Sequence, residues 1–346
     1  MIRIYSILAI LLFSLLRLAA EQKAPGYHLA LTVQKLEKGF DPPRKMQVLV
    51  VGKSMVGDAL RDGKSLRNLL LPDFPHCPEI ELLIKTQDDA TWANSLDWSL
   101  ETLTGEGSDS TLINPDLIII YATGKPDDLE SLLTEIRQRS TADILVPSIH
   151  WRAVDSPNWG RSENAVDQDI SILRETCKKH GAEMVENRKL WANYLEENNA
   201  TIGSLLLDDT KPNELGLELL RKHILSHLKR SEKKYGYLPR DRERKVKLFL
   251  SFEPDEDFQF PFTGNRIDII YQKSPDGGAA QVFIGSKLVG QINFAGEDKK
   301  LLRTTAAQNL LNKNHVLRLK PTEGKTLNLR GLEIYEPPLK SNPTPK

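Results

Sequence analysis

Five short apolar runs, each followed by a segment of helical period, dominate residues 46 to 230. The runs are 47–52, 79–84 ("EIELLI"), 116–121 ("DLIIIY"), 143–149 ("DILVPSI") and 182–186. The helix-period segments are 54–70, 91–104, 127–139, 163–180 and 213–229. A strand that is apolar at nearly every position is covered on both faces, and short strands alternating with helices build a parallel sheet. The expected fold is therefore α/β, a flavodoxin-like parallel sheet of order 2-1-3-4-5 flanked by helices. In such open sheets ligands bind outside the carboxyl ends of the strands.

Near 231–245 ("SEKKYGYLPRDRERK") the chain becomes strongly charged, and beyond it the apolar period changes to two. "VKLFLSF", "RIDIIYQ", "AAQVFIGSKLVGQI", "HVLRLKP" and "LNLRGLEIYEP" alternate between turns rich in Gly, Pro and Asn, the pattern of an antiparallel β-sandwich. The expected organisation is a signal peptide at 1–20, a Pro- and charge-rich lead-in at 21–45, an α/β domain at 46–230, a linker at 231–245, a sandwich at 246–337 and a frayed tail at 338–346.

The first 20 residues, "MIRIYSILAILLFSLLRLAA", combine an early Arg3, a hydrophobic run and small residues at Ala19 and Ala20. That is the make-up of a secretory leader, and it predicts a secreted or periplasmic protein, with an uncleaved anchor as the alternative. No other stretch reaches the roughly 20 apolar residues of a spanning helix. With 47 basic and 47 acidic residues the chain has no surplus for nucleic acid. Cys77 and Cys177 are its two cysteines. Export invites a disulfide, but in the 2-1-3-4-5 order the two fall towards opposite ends of the sheet, several strand spacings apart, so two separate thiols are expected.

The chemistry-bearing residues gather at the carboxyl edge. "MQVLVVGKSMVG" runs from the first strand through Gly52-Lys53-Ser54 into a helix; "PDLIIIYATGKPD" carries Gly124 and Lys125 beyond the third strand; "LLLDDTKPNELG" carries Asp208 and Lys211 ahead of the last helix. In their order and spacing these blocks resemble the SGNH (GDSL-type) hydrolases, which include carbohydrate esterases. The resemblance covers roughly residues 46 to 229. It implies Ser54 as nucleophile, Asp208 as the acid of a triad, and an oxyanion hole built from the Ser amide, a Gly and an Asn; Gly124 retains the glycine of the third block. The departures are pointed. Lys211 stands at the histidine position, Pro126 at the asparagine, and Lys53 at the acid before the serine; "TQDDATWANSLDW" shows no glycine of the second block.

Lysine beside a carboxylate is a poor base, and Pro126 has no donor to offer. His150, at the end of the fourth strand, is the candidate displaced base; otherwise it is a hydrogen-bonded rim histidine. Ser54 reads equally as an N-cap. Trp151 and Trp159 suit either stacking on sugars or core packing. Lys53, Lys125 and Lys211 follow three different strands and should converge into a cationic, anion-favouring rim, unless nearby carboxylates neutralise them. His223 and His227 have i, i+4 spacing without a third ligand, so a solvated helix face is expected and no metal or cofactor. The sandwich resembles carbohydrate-binding modules, with a plain structural sandwich as the alternative.

The functional expectation is an exported, carbohydrate-directed esterase-type protein with its catalysis impaired, acting on an acylated glycan. The alternative is a non-catalytic glycan-binding protein that takes an acidic ligand at the lysine rim.

Overall fold

A computed structural model describes residues 25–40, 43–105, 112–158, 165–229, 244–248, 257–264, 266–297, 300–308, 310–311, 313–322 and 326–335. The leader at 1–20, Trp159, most of the 231–245 linker and the 338–346 tail lie outside them.

Strands β1 (Met46–Gly52), β2 (Ile80–Thr86), β3 (Leu117–Tyr121), β4 (Asp143–Pro147) and β5 (Glu183–Val185) form one sheet of order β2-β1-β3-β4-β5. All its pairings are parallel. Alternate residues of the central strands enter different cores. Val48, Val50 and Ile119 pack on one face with Val56 and Leu220, while Leu49, Val51, Ile118 and Ile120 pack on the other with Leu132 and Leu133. Both faces are dry, as expected from unbroken apolar runs.

The helices are α1 (Ala30–Lys38), α2 (Ser54–Leu60), α3 (Gly63–Leu70), α4 (Trp92–Thr104), α5 (Pro126–Arg139), α6 (Ala165–Lys179), α7 (Asn187–Glu197) and α8 (Glu214–His227). Three differ from expectation. The segment expected as one helix over 54–70 breaks at Arg61, which adopts φ 62°, and Asp62, whose carboxylate accepts the Ser65 amide and caps α3. Helix α7 was not anticipated, and neither was α1 in the lead-in.

Helix α1 and its flanks lie along the amino edge of the sheet, held by three acids at strand starts. Glu183 accepts the amides of Gly26 and His28, and Asp143 accepts that of Thr32. Asp116 takes Lys35 and both terminal nitrogens of Arg44. Burial opposes ionisation of Asp116, but the two cations outweigh it and hold its carboxyl far below the usual range.

The C-terminal part is a two-layer antiparallel sandwich. One sheet has the order β10 (Lys287–Asn293), β9 (Ala279–Ile284), β12 (Lys313–Pro321), β7 (Phe258–Gly264). The other has the order β11 (Leu301–Ala307), β8 (Arg266–Gln272), β13 (Leu329–Tyr335), β6 (Arg244–Leu248). Pro261 is tolerated because β7 is an edge strand. Ile267, Ile269 and Tyr271 point into the sandwich core with Phe294 and Leu332. Phe283 is not part of that core and lies beneath the Arg318 guanidinium at 5.3 Å.

The intervening positions of the second sheet carry a buried charged layer. Arg266 pairs with Asp268, and Arg303 with Glu333. This layer meets the α/β domain: Arg303 donates to the Leu103 carbonyl at 3.0 Å and Asn114 donates to Glu333 at 2.6 Å. Gly105, which ends α4 at φ 78°, comes so close to β11 that a side chain there would strike the Leu301 carbonyl.

Cys77 and Cys177 are free and buried, in cores on opposite faces of the parallel sheet. No helix among the described residues is long and apolar enough to cross a membrane.

Candidate functional site

The carboxyl edge is assembled by backbone hydrogen bonds around Gly52. Its φ of 121° turns the chain out of β1, and a Cβ there would lie 2.2 Å from the Tyr121 carbonyl oxygen. Lys53 N–H donates to that carbonyl, Gln87 N–H donates to Gly52 O, and Ser54 N–H donates to Gln87 O at 3.1 Å. The loop after β2 is thereby fastened across the start of α2. Lys53 occupies the N-cap position and Ser54 is the first helical residue, so the serine does not cap the helix.

The Ser54 hydroxyl donates to Asp88 Oδ1, and the other oxygen of that carboxylate accepts from Lys211 Nζ. The Lys211 hydrogen bond, followed by that of Ser54, holds Asp88 below the usual carboxylate range. Lys211 is pushed up in turn by Asp88. The acid that meets Ser54 is thus Asp88, which no sequence motif singles out.

Asp208 is exposed and shapes its own turn. Its Oδ1 accepts the amides of Thr210 and Lys211, each at 2.7 Å, and these bonds lower its pKa. That turn aims the Thr210 carbonyl at His150 and presents Lys211 towards Asp88.

His150 is 2 % exposed, and both ring nitrogens are engaged. Nε2 lies 2.8 Å from the Thr210 carbonyl, which can only accept, so Nε2 carries the proton. Nδ1 then accepts from the Tyr121 hydroxyl at 2.7 Å, and that hydroxyl also accepts the His150 amide. Burial drives the imidazole pKa down to about 4. The ring makes no hydrogen bond to Ser54; it is a neutral bracket joining β3, β4 and the loop before α8.

Trp151 is buried in a core with Trp191 and Leu195, its Nε1 donating to Arg188 O and its ring lying under the Arg188 guanidinium. It offers no face to a ligand. Lys125 is exposed at the N-cap of α5 and is not among the residues lining the cleft. The cations that do line it are Lys53, Arg152 and Lys211, facing Asp88, Asp89 and Asp169. Of the three expected rim lysines, Lys211 is neutralised by a carboxylate from the β2 loop, Lys125 lies outside the cleft lining, and Lys53 remains on the cleft wall. His223 and His227 are bonded individually, to Asn187 and Glu183.

The cleft is about 440 Å³, and Gly124 lies on its wall with Trp92, Leu129, Ile149, Ile170 and Leu173. Across the Asp88–Lys211 pair a second, shallower hollow of about 620 Å³ runs past Ser54, Leu207, Pro212 and Leu215. Two properties define the chemistry of this edge. The serine hydroxyl is bonded to an ionised carboxylate rather than to a base near neutrality, and the serine amide, an oxyanion donor in a triad hydrolase, is spent on Gln87.

No family model and no curated protein matches the chain. Solved structures similar in outline include a two-domain esterase active on acetylated mannans, co-crystallized with mannopentaose. It is 12% identical, with 89% of this chain and 94% of that one covered and a TM-score of 0.44. An acetyl xylan esterase from Geobacillus stearothermophilus is 15% identical over 53% of this chain and 94% of its own, with a TM-score of 0.41. The acetyl xylan esterase AlAXEase is 17% identical over 52% and 98%, with a TM-score of 0.40. Likeness at this level assigns no reaction.

Proposed function

We propose that the protein is an exported SGNH-type protein directed at acylated carbohydrate, which holds its ligand in the Trp92 cleft without triad hydrolysis. One observation carries the reading: Ser54 Oγ donates to Asp88, whose charge is fixed by Lys211. A general base works best when its pKa lies near the operating pH, and the Asp88 carboxyl is shifted away from it. The imidazole that would serve as base is neutral but locked between Tyr121 and Thr210. Loss of a single oxyanion donor costs about 100- to 1000-fold in turnover; here the Ser54 amide is engaged and Pro126 offers none. The leader-like residues 1–20 support export.

Hydrolysis of 4-nitrophenyl acetate tests the catalytic half. Wild type and Ser54→Ala should release nitrophenol at the same rate, and turnover that disappears in Ser54→Ala overturns it. Calorimetric titration with acetylated mannan or xylan oligosaccharides tests the ligand half, and absence of saturable binding to both removes it.

A further inference from the structure

The cleft is built for more than a neutral sugar ester. Its walls are mainly apolar, with Met55, Trp92, Leu129, Ile149, Ile170 and Leu173 along them. Trp92, Leu129 and Leu173 are almost entirely buried, so this is a formed cavity. At about 440 Å³ it falls within the range of roughly 300–1,000 Å³ typical of small-molecule sites. A two-carbon acyl group would leave most of it empty.

One cation in this cavity has no carboxylate in direct contact. Asp88 is engaged by Ser54 and Lys211, Asp89 accepts from Gln87 Nε2, and Arg152 is paired with Asp155 at 3.2 Å. Lys53 alone among the three lining cations has no carboxylate within 4 Å among the described residues. Its ammonium makes a single long hydrogen bond, 3.3 Å to the Asp88 carbonyl. Burial lowers its pKa, partly offset by the charge of Asp89. The half-buried ammonium keeps two hydrogens free of protein acceptors, so they are available to a ligand oxygen. Asp169 also lines the cavity, on the α6 side, and stands in the way of a ligand with two anionic groups.

We propose that the cleft binds an amphipathic monocarboxylate, its apolar body of six or more carbons against Trp92, Leu129 and Leu173 and its carboxylate on Lys53. The bound acid is not an ester and needs no chemistry from Ser54, so this site stands whether or not the hydrolysis reading holds. The mode of recognition is general: apolar walls supply contact, and one charge-assisted hydrogen bond sets orientation.

Calorimetric titration at pH 7 with 4-phenylbutyrate, its neutral amide 4-phenylbutyramide, and acetate tests the assignment. The acid should bind saturably, the amide about tenfold or more weaker, and acetate not at all in the same range. Lys53→Met should bring the acid down to the level of the amide and leave the amide unchanged. Ile172→Gln, a neutral change at a 42 % exposed position of the cavity mouth, should weaken acid and amide alike. The proposal is overturned by equal affinity for acid and amide, by no saturable binding of the acid, or by a Lys53→Met loss that is the same for both.

Discussion

Acid should loosen this protein through His150 before its carboxylates titrate. The folded imidazole is neutral with its pKa near 4, against about 6.5 for an unfolded histidine. Between those values the unfolded chain binds more protons than the folded one, so stability rises with pH across the window and is lost as pH falls. A pKa difference of one between the two states is worth about 1.36 kcal/mol, so the full loss, complete below pH 4, is on the order of 3 kcal/mol. Applied between pH 7 and pH 5, the same linkage gives a loss of about 2 kcal/mol. His223 is also lowered to about 4 by burial and titrates alongside. The measurement is therefore urea unfolding at pH 7 and pH 5 in a His223→Gln background, with the imidazole of His150 followed by NMR. A His150 ring that titrates near 6.5 in the folded protein would refute the bracket, and so would a urea midpoint that does not move with pH.

Two further outcomes follow from groups remote from the cleft. Arg303→Met removes the cation paired with buried Glu333 and should destabilise by about 3–5 kcal/mol in urea unfolding, since breaking a buried pair strands a charge. Iodoacetamide should modify neither Cys77 nor Cys177 in the native protein, because both thiols are buried and burial raises their pKa; both should react in denaturant without prior reduction, as read by mass spectrometry.

The sheet was legible because its signal is local and redundant. The central strands β1, β3 and β4 are apolar runs, the pattern of strands covered on both faces, and the edge strands β2 and β5 follow from their place in the alternation with helices. Helix α7 had a signal that went unread: Leu190, Trp191, Tyr194 and Leu195 in "NRKLWANYLEE" recur at helical spacing, and Trp191 and Leu195 bury it. The break before α3 was written in Asp62-Gly63-Lys64-Ser65, an Asp cap followed three residues later by its partner. At the cleft, the positions of Ser54, Lys53, Lys211 and His150 followed from strand order alone. Their partners did not. Asp88 is joined to Lys211 across 123 residues of chain, and "TQDDATW" marks neither aspartate as special. The one usable signal was electrostatic: a lysine on the carboxyl edge, Lys211, needs a counter-charge, and the β2 loop supplies aspartates on the same edge. Of the two readings open for Trp151 the structure takes core packing, and Lys125 lies outside the cleft lining, because strand-end location does not say which way a side chain turns.

The acids at the starts of β3, β4 and β5 pin Gly26, Thr32 and Arg44 to the amino edge, while the cleft opens at the carboxyl edge. The protein thus has two poles. Anything attached ahead of Gly26, whether an affinity tag, a surface linkage or a neighbouring module, is handed over on the pole facing away from Ser54 and Trp92. Immobilised by that end, the molecule would display its cleft outward to ligands in solution. The corresponding engineering rule is directional: fusions belong before residue 25, where they leave the entrance unobstructed.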